Sequence, residues 1–218
     1  MITIKWHGHA CFEIISSKGI RIVIDPHDGK SLGIKPPDAQ ADIVLITHEH
    51  FDHNAFSVVA KPSAQVFSMY EGRTTVDDIE ILGVRTYHDR EKGRRRGQNM
   101  IYRVTVDGIV FLHLGDLGHE LDDSYAEKLG HIDIVMIPVG GTFTIDSSGA
   151  WKTIEVIKPK IVIPMHYWIR GLNLPLRPVD DFISKKPSMW SVVKLDSNIL
   201  TIDPKKIESN MIYVFNAP

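Results

Sequence analysis

An apolar, β-branched run, Ile43-Val44-Leu45-Ile46, opens directly into Thr47-His48-Glu49-His50-Phe51-Asp52-His53, which places four side chains of metal-ligand type within six residues. Uninterrupted apolar runs of this kind mark strands covered on both faces. Imidazole and carboxylate groups at the end of such a strand are costly unless a metal or another partner meets them. The chain therefore has to fold so that one end of an internal strand delivers His48, His50, Asp52 and His53 to a common site. On an extended backbone alternate residues share a side, which brings His48, His50 and Asp52 together and turns His53 elsewhere. Two adjacent metal ions use that arrangement better than one.

The same juncture recurs along the chain. His88 follows the run Ile79–Tyr87, Asp116 follows Ile109–Leu114 through Gly115, and His166 follows Ile161–Met165. Each sits where a buried strand empties onto one rim of a sheet, the place where open α/β sheets bind their ligands. Eleven histidines against a single cysteine mean that a metal here is held by nitrogen and oxygen. That donor set suits Zn²⁺, Mn²⁺ or Fe²⁺, with zinc favoured by the number of imidazoles. The one cysteine, Cys11, has no disulfide partner, reads as a core residue and fits a reducing compartment.

Three short strands open the chain, Ile2–Trp6, Cys11–Ser16 and Ile20–Asp25, with Lys18-Gly19 turning between the last two. Pro26 to Ala41 carries no periodicity and reads as a long surface loop of the kind that is often functional. Helical patterns fall at Asn54–Ala60, Asp122–Leu129, Gly149–Ile157 and Val179–Lys185, between the apolar runs. Trp190–Leu195 and Ile199–Ile202 form a hairpin-like pair around Asp196-Ser197-Asn198, and Met211–Phe215 reads as an edge strand or a contact surface. The pattern is α/β with layered sheets. At 218 residues and 43% hydrophobic content the chain fits one large domain. A net charge of −2 disfavours a general nucleic-acid or anionic-membrane binder. No apolar run approaches the roughly 20 residues that span a bilayer, and the N-terminus lacks the apolar segment of a signal peptide, so the expected location is cytoplasmic.

His48-x-His50-x-Asp52-His53, followed by His88, Asp116 and His166, resembles the signature of the metallo-β-lactamase fold superfamily. Gly8-His9-Ala10-Cys11-Phe12, Pro138-Val139-Gly140-Gly141-Thr142-Phe143-Thr144 and Pro164-Met165-His166-Tyr167 look like its compact branch of predicted metal-dependent hydrolases, in or near which lactonase-like and phosphodiesterase-like members lie. The resemblance covers nearly the whole chain and implies a four-layer αβ/βα sandwich. Carried over residue by residue, it implies that His48, His50 and His88 hold one metal, that Asp52, His53 and His166 hold a second, and that Asp116 bridges them. Asp25, in Val23-Ile24-Asp25-Pro26, matches the family's supporting acidic residue, which acts on a ligand from behind. A lactamase with a cysteine ligand is not supported, because Asp116 stands at the position concerned.

The expected chemistry is hydrolysis of an ester, lactone or phosphodiester bond in a small anionic metabolite, by water activated between two divalent ions. Asp116 bridges the ions and Asp52 orients the attacking water, which makes these two the expected catalytic carboxylates. A nuclease-type phosphodiesterase and a metal-binding sensor or scaffold are the alternatives. The stretch Arg85–Gln98 is the one concentrated basic segment, and Arg94 and Arg95, with Arg96, read either as a solvated loop or as a clamp on an anion. His9 is a candidate contact behind the ligands or to substrate. His119 is a candidate for the mouth of the site, and Tyr167 for donating a proton to a leaving group. His113 and His131 read as structural.

Overall fold

The computed structural model describes residues 1–218. Six strands form a first sheet in the order β13-β1-β2-β3-β4-β5, with β1 Ile2–Trp6, β2 Phe12–Ile15, β3 Arg21–Ile24, β4 Ala41–Ile46, β5 Ala60–Ser68 and β13 Ile199–Ile202. Eight form a second, β12-β14-β11-β10-β9-β8-β7-β6, with β6 Gly72–Val76, β7 Ile79–Tyr87, β8 Gln98–Val106, β9 Ile109–His113, β10 Ile134–Pro138, β11 Ile161–Met165, β12 Ser191–Lys194 and β14 Met211–Val214. The helices are α1 Asp123–Leu129, α2 Ser147–Ile157 and α3 Asp180–Ile183. Two packed sheets with few helices match the expected sandwich.

Of the strands read as buried on both faces, β7 alternates, with Glu80 and Arg85 exposed, whereas β9, β10 and β11 are buried at every residue. These three run parallel. Parallel neighbours need crossovers, and α1 and α2 supply them. Asp122 caps α1 by accepting from the backbone N–H of Ser124 and Tyr125, and Asp146 caps α2 by accepting from that of Gly149. In the first sheet the alternation is clean. Ile22, Ile24, Ile43 and Leu45 face the shared core, while Val23, Val44 and Ile46 pack outward on Ala39 and Val59. The layer outside this sheet is therefore built from the loop after β3 and a short turn rather than from a long helix.

Four expectations are corrected. Asn54–Ala60 is no helix: only Phe56–Val58 forms a single 3₁₀ turn, and Ala60 already begins β5. The edge strands β5 and β6 are half-exposed and lack an apolar alternation that would betray them. Val179–Lys185 shortens to the four residues of α3. The C-terminal pair is no hairpin. β12 runs parallel to β14 in the second sheet while β13 pairs antiparallel with β1 in the first, so Asp196-Ser197-Asn198 crosses between sheets, held by Asn198 Nδ2 donating to Trp6 O at 2.9 Å. β14, read as an edge, lies between β11 and β12 with Ile212 and Val214 buried. No helix is long and apolar enough to cross a membrane.

Two side chains tie the sheets together below the rim. Tyr102 of β8 donates its hydroxyl to Ile46 O of β4 at 3.0 Å and accepts from Tyr70 N at 2.9 Å. His113 of β9 donates from Nε2 to Ala10 O at 2.8 Å and accepts at Nδ1 from Gly115 N at 3.1 Å, so one neutral tautomer satisfies both ring nitrogens. Removing the tyrosine hydroxyl leaves the part-buried Tyr70 N–H without its partner and the Ile46 carbonyl with only the Met69 N–H. Tyr102→Phe is expected to cost about 1–3 kcal/mol, read as a lowered midpoint in urea unfolding. An unchanged midpoint would remove this tie from the account.

Histidine burial also gives stability a pH dependence. Burial pushes His27, whose Nε2 lies 3.1 Å from His7 O, down to about 4 from 6.5. The folded chain then binds fewer protons than the unfolded one between those values. The stabilisation is complete above pH 6.5 and is lost as pH falls toward 4, at about 1.4 kcal/mol per pH unit for this one group. His27→Gln should flatten the fall in urea-unfolding stability between pH 6.5 and 4; a slope equal to that of the parent would contradict the assignment.

Candidate metal centre

The rim where β3, β4, β7, β9 and β11 end gathers every expected ligand. The segment after β4 is not extended, as the alternation argument assumed. It turns, with His53 N bonded to His50 O at 3.0 Å, and so divides its donors. His48 and His50 group with His88, while Asp52 and His53 group with His9 and His166. Within each group the ligand atoms lie within 4.8 Å of one another. Asp116 stands between the groups: its Oδ2 is 3.1 Å from His88 Nε2, 3.3 Å from His166 Nε2 and 3.8 Å from His48 Nε2, and its Oδ1 is 3.3 Å from His53 Nε2.

The ring protons can be assigned from the hydrogen bonds behind this cluster. Asp25, buried, accepts from Thr47 N at 2.8 Å, Thr47 Oγ1 at 2.7 Å and His53 Nδ1 at 3.0 Å. His53 therefore keeps a proton on Nδ1 and turns Nε2 toward Asp52 and Asp116; burial would lower its pKa, yet Asp116, Asp52 and Asp25 hold the ring well above 6.5. The Thr47 hydroxyl gives its hydrogen to Asp25, so toward His48 Nδ1, 3.0 Å away, it can only accept. His48 likewise carries its proton on Nδ1 and presents a bare Nε2. Thr47 and Asp25 thus orient two imidazoles through one network, a contribution of Thr47 that no ligand-type pattern announces.

What remains is a set of buried atoms with no protein partner: Nε2 of His48, His53 and His166, and Oδ1 of Asp116. The His48 lone pair turned on a buried carboxylate repels it, and buried polar groups are rarely left without a partner. A cation between them resolves the conflict, and imidazole with carboxylate is the donor set that divalent zinc, manganese or iron takes. Burial alone would raise Asp116, yet the His166 and His53 rings hold it well below the usual carboxylate range. Burial, followed by the neighbouring His53, lowers His48 well below 6.5. Near neutral pH the site therefore presents an anionic Asp116 and an unprotonated His48, the forms that bind metal, while a bound cation would take the place of the His53 Nε2 proton.

Two close approaches and one hydrogen-bonding side chain hold the ligand loops. A Cβ on Gly118 would lie 2.2 Å from the His88 backbone, and one on Gly140 would lie 2.2 Å from His166 O. Asn99, buried in β8, accepts from Asp116 N at 2.9 Å and donates to Leu114 O and Thr86 Oγ1. Asn99 and Thr86 carry no ligand signature, and no spacing argument reaches them.

The weaker candidates separate. His9 joins the second group: its Nε2 is 3.1 Å from Asp52 Oδ2, and burial with the adjacent His166 pushes it down to about 3, so the neutral ring donates to Asp52. His119 is not at the mouth. Its Nε2 accepts from Tyr87 N and its Nδ1 donates to Glu120 O, which uses both nitrogens on backbone. Tyr167 packs its ring 5.3 Å from Trp6 in the core and makes no hydrogen bond to the cluster. Arg95 and Arg94 lie toward Glu91 at 2.5 and 3.9 Å, and Arg94 is outside both cavities that open at the rim. The arginine facing the donors is Arg96, in the wall of a cavity of about 290 Å³ with His50, Asp52, His88 and Asp116. His131 pairs with Asp133 at 2.9 Å, away from the rim.

The profile of the beta-lactamase superfamily domain matches residues 3–166. The chain is 33% identical to a UPF0173 metal-dependent hydrolase of Thermococcus onnurineus over 192 residues, 77% of this chain and 85% of that protein. It is 34% identical to a UPF0173 metal-dependent hydrolase of Pyrococcus furiosus over 193 residues, with 77% and 85% covered. A crystal structure from Thermotoga maritima, of a candidate zinc-dependent hydrolase of the metallo-beta-lactamase superfamily, superposes with a TM-score of 0.79 at 33% identity over 99% of both chains. The two donor groups flanking Asp116, the two-sheet sandwich and these likenesses agree, and the chain belongs to the beta-lactamase superfamily as a metal-dependent hydrolase.

Proposed function

We propose that this chain holds two divalent metal ions side by side, zinc by preference, and hydrolyses an ester, lactone or phosphodiester bond of a small molecule. The observation that carries the reading is the set of buried imidazole nitrogens turned on the Asp116 carboxylate from both sides, those of His48, His53 and His166 without a hydrogen-bond partner. His48, His50 and His88 would hold one ion and Asp52, His53 and His166 the other, with Asp116 reaching both. Bound there, two divalent ions supply Lewis acidity, lowering the pKa of a shared water from 15.7 toward about 7 and polarising the carbonyl or phosphoryl oxygen under attack.

The residues of the chain do the rest. The His9 hydrogen bond fixes Asp52 Oδ2, and the carboxylate so held lines the cavity, where it can orient a water for in-line approach. Asp25 and Thr47 keep the His53 and His48 Nε2 atoms turned inward, so the donors are arranged before a ligand arrives. Phe51 and Leu174 provide the apolar part of the cavity wall and Phe143 closes it toward the neighbouring loop, a volume of about 290 Å³ that suits a small substrate rather than a polymer.

The direct experiment is a panel of ester, lactone and phosphodiester substrates assayed before chelation, after chelation and after zinc is restored. Turnover lost and regained with the metal supports the reading; a metal-loaded protein that cleaves none of them sinks it. Elemental analysis should find about two zinc ions per chain, and no more than about one in Asp116→Ala, since that carboxylate serves both groups; full retention in the variant contradicts the bridging role. Asp25→Ala removes no ligand but frees two rings. Its zinc affinity is expected to fall about 10–100-fold in competition with a chromophoric chelator. Unchanged affinity would show that Asp25 only supports the fold.

A further inference from the structure

Two cavities open at the rim and share His88, Arg96 and Phe143 in their walls. The smaller reaches the donor cluster. The larger, about 710 Å³, extends away along the basic loop and has Phe143 as its one hydrophobic lining residue. The charges around the larger cavity are mostly committed. Arg90 bonds Glu120 at 3.2 Å, and Arg95 bonds Glu91 at 2.5 Å. Asp146 caps α2, and Asp89 turns both oxygens into its own loop, accepting from the backbone N–H of Glu91, Gly93, Arg95 and Arg96 at 2.7–3.0 Å.

Arg96 is different. It makes no ion pair with any carboxylate, and its Cζ lies 4.7 Å over the centre of the Phe143 ring. A guanidinium seated over an aromatic ring still has N–H groups to offer a planar anion, and the contact limits the rotamers it must give up on binding. The Asp89 network fixes the backbone from which Arg96 projects, so the guanidinium is presented at the boundary between the two cavities.

We propose that Arg96 is the specificity-determining residue of the site: it binds a carboxylate or phosphate group of the substrate that lies beyond the scissile bond, in the larger cavity. The inference rests on the hydrolase reading above and narrows its substrate to molecules with a second, anionic oxyacid group. The scissile bond then lies over the donor cluster and the remote anion across the Phe143 boundary.

Calorimetric binding of succinate and butyrate to the zinc-loaded protein tests this without turnover, because the two differ only in the remote carboxylate and any contact common to both cancels in their ratio. Succinate should bind about tenfold or more tighter than butyrate, as a charge-assisted hydrogen bond implies. Arg96→Ala should bring the ratio near one, Arg96→Lys should restore part of it, and Arg94→Ala should leave it unchanged. In turnover of mono-4-nitrophenyl succinate, Arg96→Ala should raise KM about tenfold with kcat nearly constant, while the neutral 4-nitrophenyl butyrate is unaffected. A binding ratio near one in the parent protein, or one that survives Arg96→Ala, overturns the proposal. If the ratio collapses in Arg96→Ala although neither ester is cleaved, the anion site stands and it is the ester-hydrolase reading that fails.

Discussion

The rim of this protein is organised by one electrostatic conflict. Asp116 is a buried carboxylate with Nε2 atoms of four histidines within 3.1–3.8 Å; the hydrogen-bond network leaves that of His48 without a proton and those of His53 and His166 without a protein partner. Lone pairs facing a carboxylate inside a protein are tolerated only where a positive charge completes the arrangement. The surrounding fold holds the conflict in place. Asn99 grips the Asp116 backbone, Gly118 and Gly140 allow neighbouring loops to touch His88 and His166, and Asp25 ties β3 to the His53 ring.

That arrangement depends on where strands end. Strands β9, β10 and β11 are buried on both faces and parallel, so β9 and β11 deliver Asp116 and His166 to the same rim. The first sheet brings Asp25 and the His48–His53 turn from β3 and β4. The sheets are then locked in relative position by short polar contacts. Tyr102 and His113 bridge them from within, and the turn after β1 adds His9 O, which accepts from Trp6 Nε1 and His166 N at 3.1 Å each. A donor cluster assembled from two sheets is only as well placed as these ties, which is why the buried tyrosine and a non-ligand histidine matter to the site.

Much of this was legible from the chain alone. Apolar runs ending in His or Asp identified β4, β7, β9 and β11, and the same residues named the rim; burial on both faces leaves β9 and β11 no other composition, while β7 alternates with exposed Glu80 and Arg85. The exceptions have physical reasons. Edge strands such as β5 carry half-exposed residues without alternation, and β12 and β13 lie next to each other in sequence but belong to different sheets. The turn at His50–His53 replaced an extended segment, which changed the partners of Asp52 from His48 and His50 to His9, His53 and His166. Thr47, Asn99 and Asp89 act through backbone and proton placement, for which residue type gives no signal. The basic loop was visible as charge, but only the pairing of Arg94 and Arg95 with Glu91 shows that Arg96 is the one turned toward the donors.

The most direct test of the two-ion centre is anomalous diffraction at the zinc absorption edge from crystals of the zinc-loaded protein. The account predicts two separate peaks, one beside His48, His50 and His88 and one beside Asp52, His53 and His166, with the Asp116 carboxylate between them. A single peak, or density that leaves Asp116 without a metal contact, would contradict it.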